Sequence, residues 1–296
     1  MTDNPTQAST HPHSHSTRPR PTRWEGRTVV WDRFGTGEPV VFLHGTPWSS
    51  AVWRETADAC APRFTVHLWD MPGYGHSSKE PGHPVDIGEQ ARLFAHLLDT
   101  WELERPHVIA HDIGGAVALR AALLHGAHYR SLCLVDVVAL RPWGSPFFSL
   151  VHDNADVFAA LPAAIHRGAL EAYIRGAAHR ELRADDLDML MSPWLDETGQ
   201  AAFYRQIAQA DQKFTDDIEH LYPTLDIPTH IVWGREDTWI PVDRARRLHA
   251  LIPGATLTEI AGAGHLIHLD APGALTADIV QWLMSCQPQQ ARTNNG

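Results

Sequence analysis

Three positions in this chain have the residue types and order for a two-step displacement: Asp112, Asp237 and His265. Asp112 lies in Ala110-His111-Asp112-Ile113-Gly114-Gly115. The segment before it, Pro106 to Ala110, is short and apolar and reads as a buried strand. The segment after it, Ala116 to Leu124, is apolar at helical spacing. A strand, a sharp turn among small residues and a helix form the context of a nucleophile elbow. The small residues let the helix pack close while the central residue takes a strained backbone conformation. A carboxylate at the tip is ionised at neutral pH, with a reference pKa of about 3.9, and attacks without a base. It suits an sp3 carbon carrying a leaving group or a strained ring oxygen, because attack on an ester or amide would give an anhydride. The product is an alkyl ester of the protein, which water must hydrolyse in a second step. The competing reading is a helix N-cap aspartate, favoured by capping and the helix dipole.

Other segments supply partners for that chemistry. Pro39 to Pro47 is an apolar strand ending in His44-Gly45-Thr46-Pro47, a loop form that contributes an oxyanion-hole N–H. Phe64 to Asp70 is a further strand, followed by Met71-Pro72-Gly73-Tyr74-Gly75, and Asp70 reads as structural. His230 to Asp237 is a strand that delivers an acid, and Ala261-Gly262-Ala263-Gly264-His265 places a histidine on a glycine-rich loop. In this reading His265 activates water for the second step, and Asp237 orients the ring and stabilises the imidazolium. Asp136 also ends a strand, Ser131 to Asp136, and is the alternative acid.

The order nucleophile, acid, histidine is that of α/β-hydrolases. From about Val29 to Met284 the chain resembles their aspartate-nucleophile branch, the haloalkane dehalogenases and epoxide hydrolases. The resemblance implies an oxyanion hole formed by the backbone N–H groups of Thr46 and Ile113. It implies that His44 and His111 brace these loops, and that Trp48, Trp143, Phe147 and Tyr173 line an apolar pocket. Two departures remove side-chain donors used for halide in the dehalogenases: Thr46 stands in place of asparagine and Ile113 in place of tryptophan. Phe203-Tyr204-Arg205 resembles the second lid-tyrosine motif of epoxide hydrolases, which implies Tyr204 as the acid that protonates the opening ring. The expectation is epoxide hydrolysis to a diol, with hydrolytic dehalogenation of haloalkanes or haloacids as the alternative. A carbonyl-directed hydrolase or lyase, or a non-catalytic ligand receptor on the same fold, also stays open.

The elements that must position these residues are legible as a pattern. The 296 residues and 44% hydrophobic content allow one large α/β domain. Strands alternate with helical patterns, the signature of a mostly parallel sheet with helices on both faces. The alternation stops between about Leu140 and Thr215, where Asp153 to Ala164, Gly168 to Ala177 and Gln200 to Phe214 read as helices. The expected division is a core over 24–139 and 216–286, a helical lid over 140–215, and tails over 1–23 and 287–296. The first tail is polar and rich in His and Pro, so disorder is expected there. Its His11, His13 and His15 lack a completing Cys or acidic cluster, so no metal site is expected, and no cofactor. The formal net charge of −11 argues against nucleic acid as a partner. No apolar run is long enough to span a bilayer, and the N-terminus lacks the apolar centre of a signal peptide. Cys60, Cys133 and Cys286 are scattered and read as reduced thiols in a cytoplasmic protein. The expected partners are a small apolar organic substrate and water.

Overall fold

Strands buried at every position need cover on both faces, and three consecutive core strands of this chain are of that kind. The computed structural model describes residues 19–287. In chain order the elements are β1 (Arg20–Trp24), β2 (Arg27–Gly35), β3 (Glu38–Leu43), α1 (Arg54–Cys60), β4 (Phe64–Trp69), α2 (Ile87–Thr100), β5 (His107–His111), α3 (Ile113–Leu124) and β6 (Ser131–Val135). Six helices follow: α4 (Pro146–Asp153), α5 (Ala155–Ala159), α6 (Ala163–Arg175), α7 (Ala184–Met191), α8 (Glu197–Gln209) and α9 (Lys213–Glu219). The chain then returns to the sheet with β7 (Thr229–Gly234), α10 (Asp243–Leu251), β8 (Thr256–Ile260), α11 (Ile267–Asp270) and α12 (Pro272–Ser285). The fully buried strands are β5, β6 and β7. The sheet has eight strands in the order β1-β2-β4-β3-β5-β6-β7-β8. Strands β3 to β8 run parallel, while β1 and β2 pair antiparallel at one edge. This is the α/β-hydrolase architecture.

The N-terminal boundary differs from the expectation. The expected disordered tail includes residues 20–23, but these belong to β1, which pairs with β2 from Arg20↔Trp31 to Trp24↔Arg27. Glu25 and Gly26 both take positive φ, 45° and 82°, and form the tight turn between the two strands. Trp31 Nε1 donates to Thr22 Oγ1 at 2.8 Å, and the Arg20 guanidinium lies over the Trp31 ring. A short polar edge strand is held by backbone pairing, which composition does not reveal. The rest of the expected tails, 1–18 and 288–296, lies outside the described residues, as do His11, His13 and His15.

The centre of the sheet fixes the start of α3. Strands β3 and β6 flank β5 in parallel, so the turns at their C-terminal ends crowd together. A Cβ at Gly114 would lie 2.5 Å from the His44 carbonyl oxygen, and one at Gly115 would lie 2.3 Å from Val137 Cγ1. Helix α3 can start there only because both positions lack a side chain. Gly114→Ala and Gly115→Ala should therefore each destabilise the protein by about 1–3 kcal/mol, the usual cost of overpacking. Urea denaturation should show a lower midpoint at unchanged slope. A variant with the native midpoint would mean that α3 retreats freely.

Candidate active site

The site begins with a strained residue. Asp112, between β5 and α3, has φ 51° and ψ −126°, a conformation that L-residues rarely adopt. That backbone turns its carboxylate out over the C-terminal ends of the strands. The loop after β3 meets it there. Gly45 makes the approach feasible, since a Cβ at that position would lie 2.3 Å from Asp112 Cβ. The next residue, Thr46, donates its backbone N–H to Asp112 Oδ2 at 2.7 Å. The Ile113 N–H bonds to the same carboxylate.

The acid and the histidine arrive from the other side. Strand β7 ends at Gly234, and the turn that follows carries Asp237. Asp237 Oδ1 accepts the backbone N–H groups of Trp239 and Ile240, both at 2.8 Å. Its Oδ2 accepts from His265 Nδ1 at 2.8 Å, leaving Nε2 directed at Asp112 Oδ1 at 3.8 Å. The loop of His265 is fixed by three side chains, two of them buried. His111 Nε2 bonds to the His265 carbonyl oxygen at 3.0 Å, Asp270 accepts the Gly264 N–H, and Glu236 accepts those of Gly262 and Ala263. His44 braces the opposite loop, with Nε2 accepting the Met71 N–H and Nδ1 bonded to the Gly45 carbonyl.

Asp136, the alternative acid, is fully buried but does not hold the ring. Its Oδ1 accepts the Gly234 N–H at 2.8 Å, and its Oδ2 has no hydrogen-bond partner among the described residues. Burial, and then the neighbouring Asp237 carboxylate, push the Asp136 carboxyl well up, towards the neutral form. Asp70 has the structural role read from the sequence. It accepts the backbone N–H groups of Ser50 and His76. Burial pushes it up, but hydrogen bonds from His76 and Ser50 and the nearby His44 outweigh that and hold it at about 2.

Charge at the centre follows from burial and proximity. Burial pushes the Asp112 carboxyl up to about 6, against the pull of His265 and the Thr46 and Ile113 N–H groups. Burial alone would depress the His265 imidazole. The Asp237, Asp112 and Asp136 carboxyls outweigh it and hold the ring at about 9. Between those values the site carries an Asp112 carboxylate facing a His265 imidazolium. His111 is pushed well below its ordinary value, by burial first and then by His268 and His265, and stays neutral.

A cavity of about 30 Å³ lies over Asp112, with room for about one water. Trp143, Phe148, Tyr173 and Trp239 wall it, together with Thr46, Ile113 and His265. Trp143 and Phe148 also wall an outer pocket of about 280 Å³, so a thin aromatic partition separates the two. The Trp143 indole N–H is committed to Thr215 Oγ1 at 2.9 Å. Tyr173 stacks on Trp239 with ring centroids 4.4 Å apart. Burial and then the nearby Asp112 carboxylate push its phenol up, so it keeps its proton.

The structure does not bring three of the expected residues to the cavity. Tyr204 is buried inside the helical insertion, where its hydroxyl bonds to His166 Nδ1 at 2.8 Å and its ring packs on Phe158 and Phe203. Its partner is therefore a histidine of the insertion and not a substrate. Phe147 packs on Phe158 and Tyr173, behind the wall. Trp48 stacks behind Trp239 at 6.0 Å. Trp239 and Phe148 were missed in the sequence. Trp239 had a signal, because a turn that wraps an acid with its own N–H groups brings the following side chains to the site. No group of three or more His, Cys, Asp or Glu suited to a metal occurs among the described residues, and no described helix is long and apolar enough to cross a membrane.

The chain belongs to the α/β-hydrolase family: the model described as alpha/beta hydrolase fold matches residues 38–272. A solved α/β-hydrolase fold protein from Burkholderia ambifaria is 43% identical, with a TM-score of 0.86 over 88% of this chain and 97% of that one. Among curated relatives, haloalkane dehalogenase 2 of Mycobacterium tuberculosis is 26% identical over 282 residues, 89% of this chain and 95% of its own. The pimeloyl-[acyl-carrier protein] methyl ester esterase of Vibrio cholerae is 28% identical over 232 residues, 76% of this chain and 86% of its own. The protein is thus a member of a hydrolase family whose relatives differ in the bond they cleave.

The charge assignment has a measurable consequence for stability. Asp112 is raised from 3.8 to about 6 in the folded state, so its contribution is full below pH 4 and is lost as pH rises through 6. Asp112→Asn should make the protein more stable at pH 7.5, by on the order of 1–3 kcal/mol, with the gain vanishing towards pH 4. Denaturant titrations of both proteins at the two pH values would show it. Lower stability of the variant at pH 7.5 would mean that the carboxylate is well solvated.

Proposed function

We propose that this protein is a hydrolase acting through a covalent alkyl ester on Asp112, and that its reaction is the hydrolysis of a small epoxide to a diol. The observation that carries the reading is an aspartate, not a hydroxyl or thiol, at the elbow, with one oxygen on the Thr46 N–H and the other facing His265. In the first step Asp112 Oδ1 attacks a ring carbon. The new bond is C–O to the carboxylate, the ring C–O bond breaks, and its electron pair goes to the ring oxygen. Tyr173, the phenol in the cavity wall, supplies the proton that the ring oxygen takes, and the resulting tyrosinate is reprotonated by the His265 imidazolium, which leaves the ring neutral for the next step; the Asp112 carboxyl released by hydrolysis later returns a proton to the ring. In the second step His265 takes a proton from water and the hydroxide adds to the ester carbonyl carbon. Charge on the carbonyl oxygen is met by the Thr46 and Ile113 N–H groups. Collapse breaks the bond between the carbonyl carbon and the alkyl oxygen, and the diol leaves with a proton from the imidazolium.

The electrostatics support this order. The Asp112 carboxylate is one of the charges that keep His265 protonated at rest. Esterification removes that charge, so the neutral imidazole needed for the second step becomes accessible once the first is complete. The leaving group is assigned from side chains. Thr46 and Ile113 offer no side-chain N–H, and the Trp143 indole is already bonded to Thr215. A halide would find little to hold it there, whereas an alkoxide would find the Tyr173 phenol. The lid acid is therefore Tyr173 in place of Tyr204.

Two measurements test this. His265→Gln, exposed to propylene oxide or to bromoethane, should gain the mass of one alkyl adduct on Asp112 from the epoxide, and Asp112→Asn should gain none. Capture from bromoethane with none from the epoxide would reassign the leaving group to halide. Capture from neither, alongside turnover of esters, would remove the covalent reading. Separately, Tyr173→Phe should slow epoxide opening by about 10²-fold or more, while Tyr204→Phe should leave it within a few-fold. The reverse ranking would return the proton-donor role to Tyr204.

A further inference from the structure

Helix α8 of the insertion reaches the catalytic loop through one side chain. Gln206 is buried, and its Oε1 accepts hydrogen bonds from the Thr46 hydroxyl at 2.7 Å and from the Tyr74 phenol at 2.9 Å. Thr46 is the residue whose backbone N–H meets Asp112. Trp194, also in the insertion, donates its indole N–H to the carbonyl of the next loop residue, Pro47, at 2.9 Å. On the other flank of Gln206, Gln209 accepts the Val85 N–H and Arg205 donates to the Lys79 carbonyl. The helix that carries Gln206 is therefore fastened to the core on both sides of it. Gln206 Nε2 is buried without a hydrogen-bond partner among the described residues. A leucine would remove the unpaired Nε2 but would strand the Thr46 and Tyr74 hydroxyls, so packing alone does not account for a glutamine here. Its contact with the two hydroxyls does.

We infer that Gln206 is a positioning residue that holds the Thr46 loop, so that the Thr46 N–H serves hydrolysis of the enzyme ester and not the attack that forms it. This rests on the covalent reading above. The distinction comes from where charge develops. During attack, negative charge leaves the Asp112 carboxylate, and donors already bonded to it gain nothing. During hydrolysis, negative charge collects on the carbonyl oxygen, where the Thr46 and Ile113 N–H groups lie. Loosening the loop slows the second step and spares the first.

The test uses whichever of propylene oxide or bromoethane the His265→Gln protein captures. Gln206→Leu, with His265 intact, should lower kcat by tenfold or more and lower KM with it. The ratio kcat/KM, which here reports attack, should stay within about threefold. Ester-enzyme should accumulate during turnover, read by intact mass after quenching. Thr46→Val removes the hydroxyl at the other end of the contact, keeps the N–H, and should show the same split. The double variant should be no worse than the more severe single variant, as for two residues acting through one contact. A fall of kcat/KM parallel to kcat, native kinetics in both single variants, or fully additive losses would overturn the inference. In each of those cases capture by His265→Gln would leave the covalent reading standing. Loss of that capture would instead remove the covalent reading itself.

Discussion

Everything at the centre of this molecule depends on one strained peptide unit. Asp112 is held at φ 51° because β5 ends and α3 begins within a single residue. Strain of this kind persists only where the surroundings over-determine it. Here they do so from three directions: β3 and its His44 carbonyl, Val137 beyond β6, and the Gly45 turn that closes over the carboxylate. Each contact requires a residue without a side chain, which is why Gly45, Gly114 and Gly115 surround an otherwise ordinary aspartate. The parallel sheet supplies the convergence, since consecutive parallel strands present their C-terminal turns at one edge.

That edge also concentrates charge in a small buried volume. Asp112, Asp136, Asp237 and His265 are all buried, yet the described residues include no Lys or Arg ion pair to any of the three carboxyls. The arrangement is tolerable because each carboxyl is handled differently. Asp237 is bonded by two backbone N–H groups and the imidazole. Asp112 shares its charge with the loop N–H of Thr46 and faces the ring. Asp136 is driven towards neutrality. One imidazolium thus serves several acids, and any step that discharges one of them shifts the proton affinity of the ring.

The parts legible in the sequence were those written in glycines and strand ends. Asp112, Asp237 and His265 could be placed because each follows an apolar strand and lies in a turn whose small residues dictate its course. The Thr46 loop was legible for the same reason. Directions on helices were not. Tyr204 stood in a recognisable local motif, but a motif gives neighbours along the chain and not the side of the helix that meets the cavity. On α8, positions two apart face nearly opposite ways. Tyr204 turns into the insertion while Gln206 turns to the core, and only the packing of α8 on the Thr46 loop decides between them. Tyr74 was equally hidden, because the acceptor of its hydroxyl, Gln206, lies more than a hundred positions later. Strand β1 escaped for another reason: an edge strand held by backbone pairing needs little apolar sequence.

The aromatic partition of Trp143 and Phe148 has a consequence for how such a protein changes over time. The cavity over Asp112 is small, and those two rings form part of its wall. Neither ring touches the triad's hydrogen bonds. Phe148 sits on α4, a short helix capped by Ser145 and packed on α8, whereas Asp112, Asp237 and His265 sit in turns at the ends of sheet strands. The partition therefore belongs to the insertion, which also carries Tyr173, while Asp112, Asp237 and His265 belong to the core. Change at Trp143 or Phe148 can widen or narrow what the cavity admits while Asp112, Asp237 and His265 keep their places.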